Sequence, residues 1–170
     1  MKKKLPISIC LIIITIASLY GFFYLLSEPH FVIKTGDGEE LLHFPTADNQ
    51  LESHNPQKNT LILKYTHSIT GGTVKSFLTA SGNGVTVIKE QFEKFGPGLE
   101  DVSSPDVDID ADGLITVTLD GRTKDHMVVR AGEIADQKFI HEGEVIRLLD
   151  YVNPGEQVII TVKRKIEGLL

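Results

Sequence analysis

From Leu5 to Leu26 the chain carries no charged side chain and is dense in Ile, Leu, Phe and Tyr, directly after Lys2, Lys3 and Lys4. Crossing the hydrocarbon of a bilayer takes ~20 mostly apolar residues, so this run is read as a transmembrane anchor over residues 5–26. A secretory signal peptide has a shorter apolar stretch, ~7–15 residues, ending in small residues suited to cleavage. Here the exit is Phe22-Phe23-Tyr24-Leu25-Leu26-Ser27-Glu28 with no small-x-small triplet. Cys10 does not suit a lipid anchor, because Ile9 precedes it and most of the apolar run follows it. The expectation is an uncleaved helix. The lysines before the span, and no Lys or Arg after it until Lys34, place residues 1–4 as a cytoplasmic basic tail. Residues 27–170 then form one extracytoplasmic domain of a single-pass cell-membrane protein.

The whole chain has a net charge of -6, and without the three N-terminal lysines 14 basic residues face 23 acidic ones, a net of about -9. Such a balance speaks against nucleic acid and anionic lipid as partners. The only cysteine is Cys10, so the outer domain has neither a disulfide nor thiol chemistry.

Beyond the anchor, short segments rich in Val, Ile, Thr and Phe alternate with Gly, Pro, Asn and Asp, the pattern of strands and tight turns. Strands are expected over 30–35, 39–44, 60–67, 73–80, 85–92, 114–119, 126–131, 138–141, 145–149 and 156–165. Ser81-Gly82-Asn83-Gly84, Asp112-Gly113, Asp120-Gly121 and Asn153-Pro154-Gly155 supply the turn residues. The fold class is all-β, a sandwich or partly closed barrel of about 8–10 short, mainly antiparallel strands. The polar stretch 45–59 and the segment 95–105 read as loops. Only Ser27, Glu28 and Pro29 separate anchor and first strand, which holds the domain close to the membrane.

Three constellations bear on function. In Leu61-Ile62-Leu63-Lys64-Tyr65-Thr66-His67-Ser68, strand alternation puts His67 on the face of Leu61, Leu63 and Tyr65 and turns Ser68 the other way. His67 therefore cannot readily activate Ser68, and it reads as a core-rim histidine whose ring nitrogens bond to backbone groups. In Asp106-Val107-Asp108-Ile109-Asp110-Ala111-Asp112-Gly113, the residues from Asp108 match the Asp-x-Asp-x-Asp-Gly start of a calcium loop. Asp108, Asp110 and Asp112 are thus candidate calcium ligands, although position twelve is Leu119 instead of Glu. The competing reading is an edge strand with its carboxylates in water, Val107, Ile109 and Ala111 toward the core, and an Asp-Gly turn at its end. His126, Arg130, His141 and Glu144 are scattered and read as solvated or rim residues. Phe95 and Leu99 are expected to pack beneath the turn Gly96-Pro97-Gly98.

Tyr65-Thr66-His67-Ser68-Ile69, together with Phe92-Glu93-Lys94-Phe95-Gly96-Pro97-Gly98-Leu99-Glu100, resembles the paired signature of domain-of-unknown-function family 1850. The resemblance covers about 31–165. It implies a small membrane-anchored protein encoded beside TRAP transporters of the TAXI type, hence a permease or solute-binding protein as partner. Family members usually carry further Glu residues after the His-Ser pair; this chain has Thr70 and Ser76 at those positions, so His67 lacks the carboxylates an imidazole would work with. The expectation is a non-enzymatic accessory or interaction protein, touching its partner through Tyr65, His67, Ser68, Phe95, Gly96 and Gly98. The alternative is a calcium- or ligand-binding sensor.

Overall fold

The computed structural model describes residues 7–46, 59–97, 106–119 and 121–166. Helix α1 (Ile7–Leu26) runs directly into β1 (Ser27–Thr35). The expected spacer is thus absent, because Ser27, Glu28 and Pro29 are themselves strand residues opposite Ile166, Lys165 and Arg164. Pro29, which has no N–H to give, sits before the β1–β2 ladder begins at His30. Among the described residues no helix is long and apolar enough to cross a membrane. In α1, which has 20 residues, side-chain positions are described at Ile9, from Ile12 to Leu19, and at Gly21 and Phe22, all of them exposed. The expectation of a span therefore rests on the composition of residues 5–26.

The rest is all-β. The strands after β1 are β2 (Glu40–Pro45), β3 (Leu61–Thr66), β4 (Thr73–Ser81), β5 (Gly84–Phe92), β6 (Val107–Ile109), β7 (Ile115–Thr118), β8 (His126–Arg130), β9 (Lys138–His141), β10 (Glu144–Arg147) and β11 (Gln157–Ile166). They form two antiparallel sheets, one of four strands in the order β2-β1-β11-β8 and one of seven in the order β10-β9-β3-β4-β5-β7-β6. The described strands therefore number eleven, more than the 8–10 expected, and the sheets face each other as an open sandwich instead of a partly closed barrel. The extra strand is β6, the edge strand of the aspartate run. The strand expected over 145–149 stops at Arg147, where Leu148 N donates to Gln137 O and a 3-10 turn, Leu148–Asp150, takes over.

One core fills the space between the sheets. Phe31, Ile33, Val158 and Ile160 from the smaller sheet meet Leu61, Leu63, Leu78 and Phe139 from the larger. Each of these alternates along its strand with a residue of the opposite face, as a two-residue period requires. Phe44 bridges the layers, its ring 6.1 Å from that of Phe139. A second cluster, Val74, Phe92, Ile115 and Val117, extends the core toward β6 and is joined to the first through Tyr65. On the side between β5 and β8 the layers part around a cleft of about 540 Å³ lined by Val87, Leu119 and Met127. Gly121 closes one end of that opening by lying against β5, where a Cβ would stand 2.5 Å from the Val87 carbonyl oxygen and 2.3 Å from Thr86 Cγ2.

Carboxylates clamp the surface in several places. The Lys163 ammonium bound to Glu40 holds that carboxyl below its ordinary range. Lys138, 2.9 Å away, and Arg147 do the same for Asp136. The Thr73 backbone N–H lowers Glu93 in the same way. A carboxyl that is more acidic folded than unfolded contributes stability that is present above its unfolded value and lost as pH falls through the folded one. Melting temperature should therefore hold through neutral pH and drop on the acid side of the carboxylate range. Asp136→Asn should make that acid-side drop shallower, and an unchanged drop in the variant would exclude this contribution.

Candidate functional site

β3 ends at Thr66, and the chain then makes a tight loop whose backbone is closed twice: His67 N donates to Gly72 O at 2.9 Å and Gly71 N to His67 O at 2.8 Å. Gly71, at φ +66, takes the left-handed conformation that this return requires. The loop leaves His67 pointing inward, with 9% of its surface exposed. Its Nδ1 accepts from the Thr70 N–H at 3.3 Å, and its Nε2 lies 3.1 Å from the Pro97 carbonyl oxygen. A carbonyl can only accept and an N–H can only donate, so these partners assign the proton to Nε2. His67 is thus a tie between two loops, and neither ring nitrogen keeps a free lone pair for general-base work.

The second loop is built to meet it. β5 carries Phe92 into the core, Phe95 stacks edge-on against Phe92 with ring centroids 5.4 Å apart, and Gly96 then passes directly over the histidine. A Cβ at Gly96 would lie 2.6 Å from Thr70 Cγ2 and 3.0 Å from His67 Cε1, so only glycine fits without displacing a neighbour. The two halves of the sequence signature, far apart along the chain, are one structural unit. Tyr65 lies beneath it; burial, and secondarily the charge of Glu90, raise its phenol above the ordinary range and keep it neutral. Ser68 is exposed in the loop, whereas His67 beside it is buried. Gly98 lies outside the described residues, as do Leu99 and Glu100. Phe95 is not packed beneath its turn as expected: it is 44% exposed.

This unit stands at one end of the sandwich. β1 leaves α1 at Ser27 and reaches Thr35 opposite Val158 after nine residues, ~30 Å of extended chain. The next residue of β11, Gln157, pairs with Arg130, after which the chain forms the loop 131–137. Ala135 O in that loop accepts from Thr66 N at 2.8 Å. The opposite end, where α1 joins, holds Thr46, whose N–H and hydroxyl donate to Pro29 O and Asn59 O at 3.0 and 3.1 Å. The loops 67–72, 92–97 and 131–137 therefore gather at the end away from α1, and they carry Ile69, Ile134 and Phe95 at 71%, 72% and 44% exposure. The signal missed in the sequence was this third loop, in which Ile134 is the one large apolar side chain between Ala131 and Gln137.

The aspartates do something else. β6 is the edge of the larger sheet, with Asp108 exposed opposite Thr116 and Val107 turned toward the second cluster; Ile109 and Ala111, expected in the core, are exposed. Asp110 Oδ1 accepts from Asp112 N at 3.0 Å and from Leu114 N at 2.9 Å, and Gly113 turns at φ +81. That carboxylate stabilises its own hairpin. Among the described residues no group of three carboxylate, histidine or cysteine side chains is placed to hold a metal ion. Asp110→Ala should cost about 1 kcal/mol, as loss of a comparable backbone-capping oxygen does, and melts with millimolar calcium and with chelator should coincide; a calcium-dependent rise would restore the cation reading. Of the scattered residues, His141 departs from expectation: it is 7% exposed, edge-on to Phe44 with ring centroids 5.5 Å apart.

The family model described as Domain of unknown function (DUF1850) matches residues 61–148, from β3 to the first residue of the 3-10 turn, and takes in both halves of the signature. No curated protein and no solved structure matches the chain. With more than half of its length inside that match, the chain belongs to the DUF1850 family.

Proposed function

We propose that this protein is a non-enzymatic accessory module, tethered to the cell membrane by α1 with its N-terminus in the cytoplasm, that engages its partner through the end loops around His67. The observation that carries this reading is the gathering of Ile69, Phe95 and Ile134, all exposed, on loops tied together at the end opposite α1. Large apolar side chains held in water on an ordered scaffold are what a protein contact uses. A tether at one end leaves the other end free to meet an extracytoplasmic surface. The partner we propose is the permease or solute-binding subunit of a TAXI-type TRAP transporter, the neighbour implied by the family resemblance. Support for a non-catalytic role comes from His67, whose ring nitrogens are both taken by backbone groups.

The test is recovery of a transporter subunit with the full tagged chain in mild detergent. Ile69→Glu with Ile134→Glu, both outside the core, should abolish recovery without changing the melt. Recovery that survives these substitutions would contradict the contact surface, and recovery of no transporter subunit by the wild-type chain would contradict the partner.

A further inference from the structure

The outer face of the seven-stranded sheet carries two rows of side chains outside the core, the second of them tied to the end loop 131–137 through Asp136. In the first, Val145, Ile140, Ile62 and Phe77 lie side by side on β10, β9, β3 and β4, and the row ends in Lys89 on β5. Each points away from the core, since its strand neighbours Leu61, Leu63, Phe139 and Leu78 are buried. The Lys89 ammonium lies 4.0 Å from the Phe77 ring centroid. Over this row is a groove of about 410 Å³, within the range of small-ligand sites, lined chiefly by Ile62, Phe77, Ile88, Ile140 and Lys89. The second row, two residues or ~7 Å further along the strands, is Arg147, Lys138, Lys64 and Lys75, again directly opposite one another.

Four cations in register repel, which costs stability unless something offsets it. Asp136 offsets Arg147 and Lys138. Lys64 and Lys75 have no carboxylate within 4.0 Å among the described residues, nor has Lys89, in a domain whose net charge is about -9; the one carboxyl that feels Lys64 is Glu93, which is held by the Thr73 N–H. At the groove's other end Glu142 repels anions, and it is held there in a turn with φ +49, followed by Gly143 at φ +90. The groove is thus apolar along its floor, positive at one end and negative at the other.

We propose that this groove binds a free monocarboxylate amphiphile, an aliphatic chain lying on Ile62, Phe77 and Ile140 with its carboxylate on Lys89 and the Lys64–Lys75 pair. Apolar contact supplies affinity, and the cations select a charged head over a neutral one. The site lies on a different surface from the end loops, so its failure would leave the partner reading untouched.

The experiment uses the full chain in membranes and a dodecanoate carrying a photoreactive diazirine, with the matching dodecanol probe as the uncharged control. The carboxylate probe should label peptides containing Ile62, Phe77 or Ile140, and dodecanol should label them about tenfold less. Ile140→Glu should remove the label, and Lys64→Gln with Lys75→Gln should lower it about tenfold while leaving the dodecanol signal unchanged. Labelling confined to α1, equal labelling by acid and alcohol, or labelling indifferent to these substitutions would each overturn the proposal.

Discussion

Phe139→Ala is expected to lower unfolding free energy by about 3–5 kcal/mol, the usual cost of emptying a fully buried phenylalanine site. Phe139 has no exposed surface, stands opposite Leu63 within the larger sheet and meets Phe44 of the smaller one. It therefore holds the two layers together as well as filling space between them. Phe77→Ala makes the contrast: the same deletion on the outer face of the same sheet removes a partly exposed ring with Lys89 above it and should cost only about 1 kcal/mol. Urea unfolding of the two variants separates them, provided the slopes agree. Equal losses would mean that the inner and outer faces are wrongly assigned.

His67→Ala is expected to cost about 2–4 kcal/mol, because it empties a buried site and strips both the Thr70 N–H and the Pro97 carbonyl of their partner. The damage should be local. Hydrogen exchange at Thr70 and across 92–97 should accelerate, whereas the β1–β11 amides keep their protection. Gly96→Val approaches the same joint from the other side, forcing its side chain against Thr70 and His67 at a cost of about 1–3 kcal/mol. Both variants should loosen the same two loops. If His67→Ala leaves exchange at 92–97 unchanged, the histidine is not the tie.

Much of this architecture is legible locally. The alternation in Leu63-Lys64-Tyr65-Thr66 and the turns Ser81 to Gly84 and Asp110 to Gly113 specify strand faces and hairpins through contacts a few residues apart. The order β2-β1-β11-β8 is not legible in this way, since pairing Ser27 with Ile166 depends on which distant strand offers a matching edge. His141 was read as a rim residue because histidine is usually wet, yet its place two residues after Phe139 puts it on the inner face. Phe95, expected beneath the Gly96-Pro97-Gly98 turn, meets Phe92 edge-on and is 44% exposed. The histidine tie itself was half visible. Strand alternation turned His67 inward, whereas the Pro97 oxygen that completes it comes from another hairpin and only the paired signature linked the two.

The contact surface proposed for the partner is the set of end loops away from α1. Its most direct measurement is photo-crosslinking in native membranes from a photoreactive residue placed at Ile69, compared with one at Asn83, in the exposed β4–β5 turn at the opposite end of the sandwich. A single adduct from position 69, containing a transporter subunit, is expected, and none from position 83. An adduct from position 83 with none from position 69 would contradict it.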